Sequence, residues 1–174
     1  MAPLIETARL RLRGFLLSDL DAHVAILADP AVYRYLSGRP LSREDAWRRL
    51  IGSHGLWAVL GYGYWAVERK SDGRFIGQVG FGDFKRDMRP SIEGVPEMGW
   101  IFASDVHGQG YAGEAVTAGL AWADAAIGPA DLVAIISPDN APSVKLARRS
   151  GFELEGEAPY GGEPVLLFRR PSRQ

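Results

Sequence analysis

The segment from Glu97 to Ile136 constrains the fold more than any other part of the sequence, because strand, helix and strand patterns follow one another there. Glu97–Phe102 has the apolar and aromatic content of a strand. Apolar residues then recur at helical spacing from Tyr111 to Ile127, where a Gly-Pro pair ends the helix. Leu132–Ile136 is a short continuous apolar run, typical of a strand covered on both faces. This order predicts a parallel crossover.

Shorter patterns predict further elements on either side of the crossover. Gly63–Glu68 and Phe75–Phe81 are aromatic and β-branched runs separated by a turn at Lys70–Gly73, which predicts an antiparallel hairpin. The other predicted strands are Arg9–Arg13, Glu153–Glu157 and Val165–Arg170. The predicted helices are Leu20–Ala28, Val32–Leu36, Arg43–Leu60 (with a capping box at Ser42 and Asp45) and Ala141–Arg149. An exposed loop is predicted at Lys85–Gly94 and a second loop at Ala158–Pro164. Together they predict an α+β fold with a mixed, mostly antiparallel sheet flanked by helices.

Length and composition restrict the class of protein. The 174 residues suffice for one domain over 1–174, and 47% apolar with 24% charged residues is an ordinary globular composition. A net charge of -1 disfavours a nucleic-acid partner, and the lack of cysteine excludes thiolate metal sites and a cysteine nucleophile. The histidines lack metal-ligand spacing, so we expect no metal. Without an apolar leader or a membrane-length apolar stretch, we expect a cytoplasmic protein that does not bind a membrane.

A glycine-rich turn lies between the first strand of the crossover and its helix. It consists of His107-Gly108-Gln109-Gly110-Tyr111-Ala112-Gly113-Glu114. Glycines let backbone N–H groups approach a phosphate closely, and the start of the following helix adds unpaired donors and a positive dipole. The turn therefore predicts a site for a nucleotide-like cofactor. Its structural alternative is a tight turn with close backbone packing.

The same glycines also match the spacing of a Rossmann-type dinucleotide site. That site requires a parallel strand that leads directly into the glycines and an acidic residue at the end of the next strand. Here the five residues Ser104–Gly108 separate the strand from the second glycine of the motif, and Asp131 precedes the next strand. A NAD(P)-dependent oxidoreductase is thus disfavoured but stays an alternative.

Blocks along nearly the whole chain resemble one known superfamily. The turn His107–Ala115 is followed by Asn140–Ser143 and Arg149–Phe152, with support from Glu6–Arg13, Ser18-Asp19, Asp29-Pro30 and Glu97–Ile101. In this order they resemble the GNAT superfamily of acetyl-CoA-dependent N-acetyltransferases, and within it the RimJ/RimL type. The resemblance implies a sheet that is splayed between its fourth and fifth strands, with the pantetheine arm of the cofactor in the opening.

The resemblance also implies which residues bind acetyl-CoA as co-substrate. The pyrophosphate would lie on the backbone of Gly108, Gln109, Gly110, Tyr111, Ala112 and Gly113, and the thioester would point toward Ile101 and Phe102. Asn140 and Ser143 match an Asn-x-x-Ser element, in which the asparagine bonds the pantetheine and the serine lies near the thiol. Helix capping is the alternative for both residues. His107 stands where the superfamily often has Gln or Arg, so we expect it to be a loop residue.

The remaining expectations concern the reaction. A base must deprotonate the acceptor amine, and Glu97 is the candidate, its alternative being a buried partner of an arginine or of backbone N–H groups. Many relatives use a tyrosine as acid, but that position is Ala147 here, so Ser143 is the substitute acid or thiol anchor. Trp100 and Tyr160 are candidates for binding the acceptor, a protein N-terminus or a small-molecule amine. A non-catalytic acyl-CoA sensor stays an alternative, and the protein is expected to be a monomer or homodimer.

Overall fold

The computed structural model of the protein describes residues 1–172 and shows an α+β fold with one mixed sheet. The strands are β1 (Ile5–Glu6), β2 (Leu10–Arg13), β3 (Tyr64–Arg69), β4 (Arg74–Gly82), β5 (Glu97–Phe102), β6 (Leu132–Ile136), β7 (Glu153–Tyr160) and β8 (Glu163–Arg170), in the sheet order β1-β2-β3-β4-β5-β6-β8-β7. The helices are α1 (Leu20–Leu27), α2 (Pro30–Tyr33), α3 (Arg43–Leu60), α4 (Tyr111–Ala126) and α5 (Ala141–Arg149), with short 3₁₀ turns at Leu17–Asp19 and Ser104–Val106. The predicted fold class is confirmed.

The chain divides into two compact units, and the first comprises Met1–Gly80 and Trp100–Gly119. Strands β1 to β4 form an antiparallel series in it, with Leu12 opposite Val67 and Val67 opposite Gly77. Leu10 and Leu12 are fully buried while the arginines between and beside them reach solvent, as the alternating pattern predicts. Ser42 and Asp45 form the predicted capping box at the start of α3.

The second unit comprises Phe81–Gly99 and the chain from Leu120 onward. Here β5 pairs with β6 in parallel, with Glu97 opposite Val133, while β8 pairs antiparallel with both β6 and β7. The parallel crossover is therefore confirmed. The predicted strands did not include β1, so β5 and β6 correspond to the fourth and fifth strands of the predicted sheet. Part of this unit's core is formed by Met88, Ile92, Val133, Ala158 and Leu167.

Some element boundaries differ from the sequence prediction. The second helix spans Pro30–Tyr33 rather than Val32–Leu36, because Asp29 caps it by accepting from the N–H of Ala31 at 2.8 Å and Pro30 is its first residue. Strand β1 was absent from the predicted elements. At two residues it is too short to show a hydrophobic period.

Both predicted loops are also more ordered than their composition indicates. Ala158–Pro164 is largely a hairpin, because Gly161 and Gly162 both have positive φ (+62° and +86°) and form a two-residue turn between β7 and β8. The segment Lys85–Gly94 lacks regular structure, but it contains the buried side chains of Met88 and Ile92. The expectation of an exposed loop there is therefore wrong in part. A single domain over 1–174 stays a prediction.

Candidate cofactor and catalytic sites

The glycine turn of the first unit lies between the 3₁₀ turn that follows β5 and the start of α4. Gly108 and Gly110 have φ values of +75° and +81°, a conformation that side chains with a Cβ rarely adopt. Helix α4 begins at Tyr111, so the N–H groups of Tyr111, Ala112 and Gly113 have no acceptor within the helix. Residues 108–110 are exposed and the first helical residues half-buried. This arrangement of donors fits a phosphate group.

His107 and Gln109 hold the turn by contacts that the sequence did not indicate. The His107 Nε2 atom lies 3.0 Å from the carbonyl oxygen of Phe102, and the Gln109 side-chain amide donates to the carbonyl of Asp105 at 2.8 Å. His107 is thus a loop residue, as expected, and it also links the turn to the end of β5. Trp100 and Ile101 precede it on β5 and are half-buried, whereas Phe102 is buried.

Ser104, in the 3₁₀ turn before the glycines, donates a hydrogen bond to the carboxylate of Asp29. That bond, with the N–H of Ala31, lowers the pKa of Asp29. One carboxylate therefore caps α2 and fixes the segment that precedes the glycine turn.

In the second unit, Glu97 is buried in an ion pair with Arg86. The Arg86 Nε and Nη2 atoms donate to the two carboxylate oxygens of Glu97 at 2.6 and 2.8 Å, and Glu97 is only 5% exposed. Burial alone would lower the pKa of Arg86, but the hydrogen bonds and charge attraction to Glu97, together with the contact to Tyr160, outweigh burial and raise that pKa. The structure therefore places Glu97 as the buried partner of an arginine, which was the alternative to its role as the base. Its role as a base stays a prediction.

Arg86 also brings Tyr160 to the same cluster. Its Nη1 atom donates to the Tyr160 hydroxyl at 2.8 Å, and the guanidinium carbon lies 4.8 Å from the Tyr160 ring centroid and 4.9 Å from that of Phe84. Arg86 therefore binds both Glu97, the predicted base, and Tyr160, a predicted contact for the amine that accepts the acetyl group. Sequence reasoning missed Arg86 because a single arginine in a polar segment carries no signal of its partner.

Asn140 and Ser143 lie at the start of α5. The Asn140 Oδ1 atom accepts from the backbone N–H of Ser143 at 3.2 Å, so Asn140 is the helix cap. Capping accounts for the local hydrogen bond, and contact of either side chain with pantetheine stays a prediction. Ala147 is fully buried, and without a hydroxyl it cannot supply the acid that a tyrosine would.

No helix within residues 1–172 is both long and apolar enough to cross a membrane. No group of three or more His, Cys, Asp or Glu side chains in the same range is arranged to hold a metal ion. The expectation that the protein uses no metal stays a prediction.

Similarity to known proteins defines the family to which this chain belongs. The model of the acetyltransferase (GNAT) domain matches residues 9–153. A structure described as a GnaT-family acetyltransferase from Bordetella pertussis superposes with a TM-score of 0.86 at 30% identity, over 97% of this chain and 99% of that one. The N-acetyltransferase YoaA of Bacillus subtilis, itself uncharacterized, is 27% identical over 90% of this chain and 86% of its own length. The chain belongs to the GNAT acetyltransferase family.

The fold comparison also includes an enzyme of the RimL type. RimL, a ribosomal L7/L12 α-N-protein acetyltransferase solved with coenzyme A, has a TM-score of 0.76 at 22% identity, with 98% of both chains covered. This likeness shows a shared fold. A mostly antiparallel sheet is not the doubly wound parallel sheet of a Rossmann domain, which removes the structural basis of the oxidoreductase alternative.

Proposed function

We propose that the protein transfers the acetyl group of acetyl-CoA to a primary amine by direct attack of that amine on the thioester. The main support is the glycine turn with Gly108 and Gly110 at positive φ, placed between β5 and α4 in a chain of the GNAT family. Backbone donors at a helix start favour a pyrophosphate, and CoA contains one. The backbone of residues 108–113 would bind it, with Ile101 and Phe102 on the side of the thioester.

The chemistry requires a base, a polarised carbonyl and an acid. The neutral amine nitrogen forms a bond to the thioester carbon, the C–S bond breaks, and the proton lost from nitrogen leaves with the base while CoA departs as a thiolate that takes up a proton. Backbone N–H groups at the end of β5 would stabilise the oxyanion, and loss of one such donor commonly costs roughly a hundredfold in rate. Glu97 is proposed as the base and Ser143 as the acid or thiol anchor, with Asn140 on the pantetheine.

The proposed acceptor is a protein N-terminus or a small-molecule amine. Trp100 and Tyr160 are the proposed contacts. Tyr160 is half-buried and its hydroxyl is already oriented by Arg86. An aromatic ring with a fixed hydroxyl offers an amine substrate both an apolar contact and one hydrogen bond.

The test separates binding from transfer. Because the chain contains no cysteine, a thiol reagent detects the CoA released in a reaction without a background from the protein. Thermal stabilisation by acetyl-CoA and CoA, but not by NAD(P), is expected. CoA release should then appear with at least one member of a panel of N-terminal peptides, polyamines and other small amines.

The variants Glu97→Gln and Ser143→Ala should lose this turnover, while the exposed controls Glu93→Gln and Ser91→Ala keep it. Binding of acetyl-CoA without turnover by any amine would favour the sensor alternative. Absence of binding would refute the proposal as a whole.

A further inference from the structure

A single arginine from the N-terminal hairpin contacts two residues of the glycine turn, Gln109 and Tyr111, and lies beside the glycine between them. The Arg9 Nη1 atom donates to the Gln109 carbonyl at 2.9 Å, and its guanidinium lies 4.3 Å from the Tyr111 ring centroid. Its Nη2 atom is 3.3 Å from the place that a Cβ on Gly110 would occupy. Arg9 therefore lies along the backbone of the turn.

The contact with Gln109 sets the direction of the next peptide N–H. In a trans peptide the C=O and N–H bonds point in opposite directions. Since the Gln109 carbonyl points toward Arg9, the N–H of Gly110 points away from it. This fixes one donor of the proposed pyrophosphate site.

Arg9 is itself held by the carboxylate of Glu114, in the first turn of α4. Glu114 accepts from the Arg9 Nε at 2.6 Å, from the Arg9 backbone N–H at 2.8 Å and from the Thr7 hydroxyl at 2.6 Å. The same hydroxyl accepts from the backbone N–H of Leu10 at 2.9 Å, within the turn that joins β1 to β2. Two segments about a hundred residues apart in sequence thus converge on one carboxylate.

Arg9 pairs with Glu114, whose negative charge lies at the start of α4. Burial would raise the pKa of Glu114, but the hydrogen bonds from Thr7 and Arg9 outweigh it and lower that pKa, so the group is ionised at neutral pH. An anionic side chain in the first turn of α4 competes with a phosphate for the positive end of the helix. Arg9 neutralises that charge.

We propose that Arg9 is a positioning residue for the nucleotide end of CoA: with Glu114 and Thr7 it fixes the glycine turn and keeps the helix start free of net negative charge. This inference rests on the proposed function. It predicts that Arg9 matters for thioesters that carry the pyrophosphate and not for those that lack it.

The experiment compares Arg9→Gln with Arg11→Gln in the full chain. Arg11 is a matched control, because it lies on the same hairpin, is 41% exposed against 44% for Arg9, and also pairs with carboxylates, those of Glu6 and Glu68. Arg9→Gln should raise the KM for acetyl-CoA and the Kd for CoA about tenfold, equivalent to about 1.4 kcal/mol, with kcat within about twofold. Acetyl-pantetheine, which lacks the pyrophosphate, should give the same KM with Arg9→Gln and wild type.

Second variants separate positioning from a loss of folding. Arg9→Gln combined with Glu114→Gln should recover part of the CoA affinity, because the uncompensated carboxylate is then absent, and Arg9→Lys should retain most of it. Equal losses with acetyl-CoA and acetyl-pantetheine, or an Arg9→Gln variant that matches Arg11→Gln, would overturn the inference while the proposed function stands. If the wild type itself does not bind CoA, both fall.

Discussion

The ion pair between Arg86 and Glu97 allows the sharpest quantitative prediction. Two charge-assisted hydrogen bonds of 2.6 and 2.8 Å join the groups, and the side chains are 20% and 6% exposed. Removing one partner of a buried pair typically costs about 3–5 kcal/mol, because the other charge stays buried without compensation. Since Arg86 retains some contact with solvent, we expect the lower end, about 3 kcal/mol, for Arg86→Met and for Glu97→Gln separately.

The double variant Arg86→Met with Glu97→Gln should lose about 4 kcal/mol, which is about 1 kcal/mol more than either single variant loses. This corresponds to a coupling energy of about 2 kcal/mol in a double-mutant cycle. The assay is urea unfolding of the four proteins at pH 7. The matched control is the cycle for Glu44 and Arg48, one helical turn apart on α3 and each 69% exposed, which should give below about 0.5 kcal/mol because solvent screens it. A coupling for Arg86 and Glu97 no larger than that of the control would refute the reasoning.

Two further predictions concern the first unit. In Gly80→Ala the added Cβ would lie 2.3 Å from the carbonyl oxygen of Gly63, so we expect a loss of at least about 2 kcal/mol in urea unfolding, whereas Gly52→Ala in α3, with nothing within 4 Å, should be neutral or stabilising. His23 is 1% exposed, and burial with the nearby Arg49 lowers its pKa to about 4 from 6.5. Between pH 6.5 and pH 4 the imidazole is therefore protonated in the unfolded chain but neutral in the folded one. As the pH falls through this range, the free energy of unfolding should decrease by on the order of 3 kcal/mol more in wild type than in His23→Leu. Parallel stability curves for the two proteins would contradict this.

The parts of the fold that the sequence predicts are those with a period or a local signature. Strand β6 was predicted with its observed bounds, because a short apolar run between a Gly-Pro stop and a Ser-Pro turn leaves few alternatives. The start of α3 was equally clear, since Ser42 and Asp45 act within three residues of one another. The end of β7 was missed although Gly161 and Gly162 are a strong signal for a two-residue turn, because the prolines beside them indicated a loop.

Contacts between distant residues were not predictable in this way. Arg9 meets Glu114 across 105 positions and Arg86 meets Tyr160 across 74, and no periodicity connects such residues. The resemblance indicated that the blocks around Arg9 and Glu114 occur together, but not why. The hydrogen bonds supply the physical reason, which is a shared carboxylate.

Two arginines to which the sequence assigned no role, Arg9 and Arg86, make the same kind of contact in different units. Each neutralises a carboxylate in a segment with a proposed role, Arg9 at the glycine turn and Arg86 at β5, and each uses its remaining N–H groups to orient a second polar group, the Gln109 carbonyl or the Tyr160 hydroxyl. A lysine could neutralise the charge but could not provide the planar fork that bonds two groups in fixed directions. Lysine in place of either arginine should therefore preserve stability better than glutamine does. At Arg86 the lysine variant should still lower turnover, because orientation of Glu97 and Tyr160 depends on the fork.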